Sequence, residues 1–298
     1  MEQLKIGLLV MVHMALVACG GGGGGQVVNS TPAALPASAG TGAGTTAIQG
    51  HFDRLNEVRQ AMGLNPLAWS DSLAAAAQGH ADFQRVNQLQ AHGQVPGMQG
   101  FTATGYGDRA RLAGFTGSLV GEVIVGGNAQ TAADGSALMD ALLTAPGHRF
   151  VLLGMEFTDA GIGALPLTTN VGQRGTPWVA PDRVVAYPYN GQTGVPTAFA
   201  PASESPNPLP DVALTGMPLS VHAGMFASFV ANSIQLTNNR TGADVALLPA
   251  ETLGQNRGAF VFFPRERLEA GTSYTFRVDL VIAGKTRTVT STFTTGSN

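Results

Sequence analysis

The chain has 298 residues, of which 44% are hydrophobic and 12% charged, and its formal net charge is -3. This length suits about two globular domains, and the slightly acidic charge without a run of Lys or Arg excludes the basic footprint of a nucleic-acid-binding protein. A single cysteine, Cys19, excludes an intramolecular disulfide, so the fold is expected to depend on its hydrophobic cores.

The N-terminus has the pattern of an export signal. Lys5 precedes an apolar run from Ile6 to Val17, which is shorter than the roughly 20 residues that span a bilayer. The run ends in Leu16-Val17-Ala18-Cys19, which resembles a bacterial lipobox. We therefore predict a signal peptide over residues 1–18 and attachment of lipid to Cys19. A buried helix with a free thiol is the alternative.

Residues 19–50 have the composition of a tether. Gly20 to Gly25 is an unbroken glycine run, and the following residues are rich in Ala, Ser, Thr, Pro and Gly. Such a segment buries too little apolar surface to offset its ordering entropy, so we predict a disordered link between membrane and first domain. A phosphate-binding loop does not fit, because no Gly-Lys-Ser/Thr follows the glycines.

Residues 51–206 are predicted to form a first domain of helices and strands. Apolar residues at helical spacing predict a helix from His51 to Met62, ended by Gly63. Two further helices are predicted over Ser72–Leu89, capped by Ser70 or Asp71, and over Ala132–Leu143. Val184–Tyr189 is predicted to be the last strand of this domain's sheet.

Three polar side chains stand in small and apolar surroundings in this domain. They are His92, Glu122 in Gly121-Glu122-Val123-Ile124, and His148 in Pro146-Gly147-His148-Arg149. Two imidazoles and a carboxylate in apolar segments suggest that the three meet in one polar cleft. Such a set can bind Zn²⁺ with an open water position, and it can also perform acid–base chemistry.

These patterns resemble the CAP superfamily (cysteine-rich secretory, antigen 5 and pathogenesis-related proteins) in its bacterial SCP-like form. The resemblance rests on an ordered set of short motifs: Asn56, Arg59, Gly63-Leu64, Pro66-Leu67, Trp69, His80-Ala81, His92-Gly93, Arg109 or Arg111, Ala113-Gly114-Phe115, Gly121-Glu122-Val123-Ile124 and Pro146-Gly147-His148-Arg149. It implies an α+β fold, specifically an α-β-α sandwich with helices on both faces of a mainly antiparallel sheet. It also implies that His92, Glu122 and His148 line one cleft, where the histidines are candidate metal ligands and Glu122 a further one.

The resemblance has a gap, because the second acid of the family pattern would fall at Ala145. Asp140 and Glu156 are close in sequence, but nothing assigns either to the cleft. His80 is expected to be a packed helix histidine, and His51 and His222 surface or packing residues. Arg149 is expected to anchor its segment by pairing with backbone carbonyls or an acid.

Residues 207–298 are predicted to form a small all-β sandwich after a proline-rich linker near Pro196–Pro210. Strands are predicted at Ser233–Thr237, Ala259–Phe263, Tyr274–Leu280 and Thr286–Thr294. The stretch from Leu268 to Thr275 resembles an element of bacterial Ig-like repeats, which are mostly spacer or adhesion modules.

The sequence leaves three functions open for an envelope protein held at the outer membrane or cell surface. The first is a non-enzymatic binding protein for a small apolar ligand, such as a lipid, or for a divalent metal. The second is a metal-dependent hydrolase with Glu122 as base, which the missing nucleophile disfavours. The third is an adhesion protein whose Ig-like domain binds a protein partner.

Overall fold

A computed structural model describes residues 43–175, 177, 179–225, 227, 229–249 and 258–297. The predicted signal peptide, the lipidation site Cys19 and residues 20–42 of the tether lie outside the described residues. The helices are α1 (Ala43–Ala61), α2 (Asp71–Asn87), α3 (Tyr106–Leu112), α4 (Ala132–Thr144) and α5 (Pro146–Leu152). The strands are β1 (Ala68–Trp69), β2 (Leu119–Val125), β3 (Asp159–Gly163), β4 (Leu167–Gln173), β5 (Val185–Tyr187), β6 (Ala198–Phe199), β7 (Thr215–Gly216), β8 (Leu219–His222), β9 (Phe229–Asn238), β10 (Ala259–Phe262), β11 (Ser273–Ile282) and β12 (Lys285–Thr294).

The three predicted helices are confirmed, with one changed start. The Ser70 hydroxyl caps α2 by accepting a hydrogen bond from the backbone N–H of Leu73 at 3.4 Å. α1 begins at Ala43, so residues 43–50 of the predicted tether are helical. This start is explained by packing on α4, because Gly135 lies against α1 and a Cβ there would be 1.9 Å from the carbonyl oxygen of Ala47.

The first sheet has helices on both faces. Its strand order is β1-β3-β4-β2, with β1 and β3 parallel and the other pairs antiparallel. Along β3, Ala160 and Ile162 belong to the core that contains residues of α1 and α4. The alternate residue Gly161 faces α2, where an added Cβ would lie 2.1 Å from the backbone nitrogen of Ala74. Mixed α and β content in this arrangement agrees with the expected α-β-α sandwich.

The regular elements described after residue 174 are strands, apart from a 3-10 turn at Pro201–Ser203. The four predicted strands fall within β9, β10, β11 and β12. β11 and β12 are joined through Ala283 and Gly284, whose φ angles are 50° and 72°. The C-terminal region is therefore all-β, as predicted.

The predicted role of Val184–Tyr189 as the last strand of the first sheet is wrong. β5 pairs with β8 instead, with Val185 opposite His222 and Tyr187 opposite Ser220. Backbone pairing thus crosses the predicted boundary between residues 206 and 207. Side chains cross it too, since one core cluster contains both Leu55 of α1 and Phe276 of β11.

Arg149 also joins the two regions. Its guanidinium is fully buried and donates to the carbonyl oxygens of Leu143 (2.6 Å) and Pro218 (3.0 Å) and to the Ser220 hydroxyl (2.8 Å). Burial lowers the pKa of Arg149 to about 10, which leaves it charged at neutral pH. The predicted pairing with backbone carbonyls is confirmed, although Arg149 lies in α5 rather than in a loop. No helix in the described part of the chain is long and apolar enough to cross a membrane.

Candidate functional site

Glu122 lies at the centre of the candidate site. Its neighbour Val123 joins the core on the α1 and α4 face of the sheet, so alternation along β2 directs Glu122 towards α2 and α3. Its side chain is 0% exposed, and that of Arg109, on α3, is 1% exposed. Nη2 of Arg109 lies 3.0 Å from Oε1 and 2.9 Å from Oε2 of Glu122. A buried carboxylate needs such a partner, because moving an unpaired charge out of water is costly.

His92 connects this buried pair to solvent. Its Nδ1 lies 3.1 Å from Oε1 of Glu122, while 49% of its side chain is exposed. The ionised carboxylate of Glu122 can only accept, so Nδ1 of His92 is the donor, and in the neutral ring the lone pair is on Nε2. Arg109 also donates to the backbone oxygen of His92 at 3.0 Å, which holds the loop in place.

His80 lies beneath the same carboxylate but has a different role. Its Nε2 donates to the backbone oxygen of Ala91 at 2.8 Å, and its Nδ1 accepts from the amide of Gln94 at 3.2 Å. Burial is the main cause that lowers the pKa of His80, and the nearby charge of Glu122 opposes it. Both ring nitrogens are therefore committed, and the prediction of a packed helix histidine agrees with this geometry.

His148, on α5, pairs with an acid that the sequence did not suggest. Both its backbone nitrogen and its Nδ1 lie 3.1 Å from Oε1 of Glu204. The side chains of His148 and Glu204 are 19% and 2% exposed. The carboxylate again accepts from Nδ1–H, so the lone pair of the neutral His148 ring is on Nε2.

The structure thus brings two of the three predicted residues into contact, His92 and Glu122. The hydrogen bonds of the His148 side chain within the described residues go to Glu204. Among those residues, no group of three or more His, Cys, Asp and Glu side chains is arranged to hold a metal ion. A single cleft shared by all three predicted residues therefore stays a prediction.

Two other acids and two other histidines have structural partners. Asp140 pairs with Arg54 at 2.8 Å, and Glu156 accepts from the backbone nitrogen of Met225. His51 is buried between the Gly135 carbonyl and the Thr169 hydroxyl, both at 3.0 Å, and His222 contacts the Ser220 hydroxyl at 2.9 Å. The packing role expected of both histidines is confirmed, and the surface alternative is wrong.

Four exposed apolar side chains flank His92 in the sequence. Val86 and Leu89 at the end of α2, and Val95 and Phe101 in the following loop, are 39%, 38%, 51% and 37% exposed. The loop is closed by backbone hydrogen bonds from Met98 to Val95 (3.3 Å) and from Phe101 to Met98 (3.2 Å). The loop that carries His92 therefore has a compact shape and presents large apolar side chains to solvent.

Residues 52–174 match the family model of the cysteine-rich secretory protein family, CAP. The matched stretch includes His92, Glu122 and His148, and it ends before Glu204. The match agrees with the family resemblance over this part of the chain. A comparison with curated proteins found no match.

Two solved structures are similar to part of the chain. An extracellular protein containing an SCP domain from Bacillus anthracis is 29% identical over 42% of this chain and 40% of its own length, with a TM-score of 0.37. The match thus spans less than half of that protein. An outer surface protein from Borrelia burgdorferi is 18% identical over 43% of this chain and 93% of its own length, also with a TM-score of 0.37.

Proposed function

We propose that this chain is an exported, lipid-anchored binding protein whose CAP domain binds a divalent metal ion of the zinc class through Nε2 of His92 and His148. The observation that supports this function is the state of the two imidazoles. Each donates Nδ1–H to a buried carboxylate, Glu122 or Glu204 at 3.1 Å, and keeps its lone pair on Nε2.

The donor chemistry fits zinc. Neutral imidazole nitrogen is a preferred zinc ligand, and the second ring N–H of a ligating histidine is usually bound by a carboxylate or carbonyl. That second bond fixes the tautomer and raises the basicity of the ligating nitrogen. His80 lacks this property because both of its nitrogens are bonded. The remaining zinc positions are left to water or a bound ligand, and the ion would polarise whatever occupies them.

Binding suits the site better than hydrolysis. A hydrolytic base needs an oxygen within reach of a substrate or water, but the Glu122 side chain is fully buried. Both of its oxygens already accept hydrogen bonds from Arg109, and Oε1 also accepts from His92. Ser118, the serine closest to Glu122 in sequence, donates to Gln173 at 3.2 Å.

Calorimetric titration of the purified protein with Zn²⁺ tests the proposal. We expect one ion per chain, loss of at least tenfold in affinity for His92→Ala and for His148→Ala, and no binding by the double variant. The matched control is Glu57→Gln, an exposed acid on α1 that leaves binding unchanged. Absence of heat with the unaltered protein, or a double variant that titrates like it, contradicts zinc binding.

A small apolar ligand is the second candidate, favoured by the exposed apolar side chains that flank His92 in the sequence. Lipid extraction and mass spectrometry of the purified protein test it. Replacing Phe101 with Asn should reduce any bound lipid several-fold, while the same change at Leu214, which is 43% exposed in the C-terminal region, should not. Equal lipid in both variants, or none in the unaltered protein, would remove this candidate.

Lipid anchoring through Cys19 is tested by labelling cells with palmitate. The unaltered chain should incorporate label, and a Cys19→Ala chain should not, because Cys19 is the single cysteine. Equal labelling of the two chains excludes this anchor.

The C-terminal β region is proposed to be an Ig-like sandwich that supports the CAP domain. The pairing of β5 with β8 and the common core favour support over independent adhesion. If residues 207–298 were a free adhesion module, that fragment would fold and bind its partner alone. We expect it to remain unfolded in circular dichroism, because it lacks β5 and the residues of the common core that precede residue 207.

A further inference from the structure

We propose that Glu204 is the positioning residue for His148, so that the segment after β6 completes the site. Glu204 holds the imidazole in the Nδ1–H tautomer and keeps Nε2 as the ligand atom. The inference rests on the proposed function for its metal, but the state of the ring is measurable without metal. Glu204 lies outside residues 52–174, which match the CAP family model.

The contacts of Glu204 fix both the ring and the backbone of His148. One oxygen, Oε1, is 3.1 Å from the backbone nitrogen and 3.1 Å from Nδ1. Two contacts from one atom define the torsion of the ring relative to the main chain. With the acid 2% exposed, this geometry is shielded from competing water.

Capping of α5 does not account for all of this arrangement. The N-cap residue is Ala145, which has no side-chain oxygen, so Oε1 of Glu204 does serve an unpaired N–H of the first turn. However, Oε2 is buried and has no hydrogen-bond partner within the described residues. A capping interaction needs only one acceptor oxygen, and the capping side chain can be exposed to solvent. A buried carboxylate with a free oxygen is costly and calls for a further reason, such as control of a neighbouring imidazole.

The surrounding chain positions the carboxylate of Glu204 beside His148. Glu204 follows the 3-10 turn, and its backbone nitrogen donates to Pro201 at 3.2 Å. A separate small core joins Phe199 of β6 to Phe150 of α5 and so docks the segment on the helix. Gly147 leaves room for the acid, since a Cβ there would lie 2.7 Å from Oε1.

In both histidines, Nδ1–H donates to a buried carboxylate, and the two carboxylates come from different parts of the chain. Glu122 is on β2 inside the matched stretch, whereas Glu204 lies beyond that stretch, between β6 and β7. A chain that ends near residue 174 would keep His92 with its carboxylate and leave His148 without one. The segment between β6 and β7 therefore contributes directly to the candidate site.

Nitrogen NMR of the imidazoles in the intact, metal-free protein tests the positioning. We expect His148 to be Nδ1-protonated and to become a mixture of tautomers in Glu204→Ala, because an unpaired imidazole populates both. The resonances of His92 should not change. An effect of capping alone would lower stability and leave the tautomer as it was, and that result overturns the proposal. If Glu204→Ala does not fold, Glu204→Leu, which keeps most of the side-chain volume and also has no acceptor, is read in the same way.

Zinc titration of Glu204→Gln provides the second measurement. Affinity should fall about 10–100-fold, the range for loss of a partner of a ligating histidine. Glu156→Gln is the matched control, because Glu156 also has a buried Oε2 without a partner among the described residues, but its other oxygen accepts from the backbone nitrogen of Met225 instead. Unchanged affinity in Glu204→Gln overturns the proposal. Failure of the unaltered protein to bind zinc refutes the proposed function, while the tautomer still decides the role of Glu204.

Discussion

Replacing Arg109 with leucine should be among the most damaging single changes in the CAP domain. The change removes the partner of Glu122 but leaves its carboxylate buried, with His92 as the remaining donor. Breaking a buried ion pair from one side costs about 3–5 kcal/mol, because an uncompensated charge stays inside. Arg109 also donates to the backbone oxygens of His92, Ala103 and Thr104, so the loop loses its support as well.

Urea unfolding followed by fluorescence and circular dichroism measures this loss. Replacing both residues, in an Arg109→Leu/Glu122→Leu protein, should lower the free energy of unfolding by less than the sum of the two single changes, because no unpaired charge remains buried. The control is Arg240→Leu, which breaks an exposed pair with Glu269 and should leave the midpoint unchanged. A loss below about 1 kcal/mol for Arg109→Leu, in the range of surface pairs, would refute the assignment of a buried pair.

Three further outcomes are expected. Gly161→Ala should lower the unfolding midpoint sharply, because a Cβ would lie 2.1 Å from the backbone of α2; an unchanged midpoint contradicts this close packing. Burial lowers the pKa of His51 to about 4 and of His222 to about 3, from the ordinary histidine pKa of 6.5. Below pH 6.5 the unfolded chain therefore binds more protons than the folded chain. Stability is therefore complete above pH 6.5 and falls on acidification, by about 2 kcal/mol per histidine between pH 7 and 5; urea unfolding that is no weaker at pH 5 contradicts the burial. Gly147→Ala should displace the carboxylate of Glu204 and weaken zinc binding as Glu204→Gln does, and an unaffected titration would show that the segment can move aside.

Local patterns in the sequence predicted the elements that local chemistry determines. The helical spacing of Leu55 and Val58, the cap at Ser70 and the alternation that buries Phe276 and Val278 all appear as expected. The short helices α3 and α5 were not predicted. Seven residues are too few for a recognisable apolar period, and tertiary contacts decide such segments.

The site was predictable only in part, for a similar reason. His92 and Glu122 carry recognisable neighbours, and the pair forms. Glu204 lies within the proline-rich stretch Pro196–Pro210, which has the composition of a linker, and it contacts His148 across 56 sequence positions. No local pattern records such a contact. The placement of β5 failed for the same reason, since pairing with β8 depends on the C-terminal fold and not on the strand itself.

The buried charges explain why the CAP stretch should not be treated as an independent unit. Arg149 is fully buried and two of its acceptors, Pro218 and Ser220, lie beyond residue 206. A chain cut before them would leave that guanidinium short of partners in an apolar interior, which is a severe penalty. A cut near residue 174 would also remove Glu204, the hydrogen-bond partner of His148. Stability and ligand geometry therefore depend on the same C-terminal segments, so a loss of binding on truncation has to be separated from unfolding by point substitutions in the intact chain.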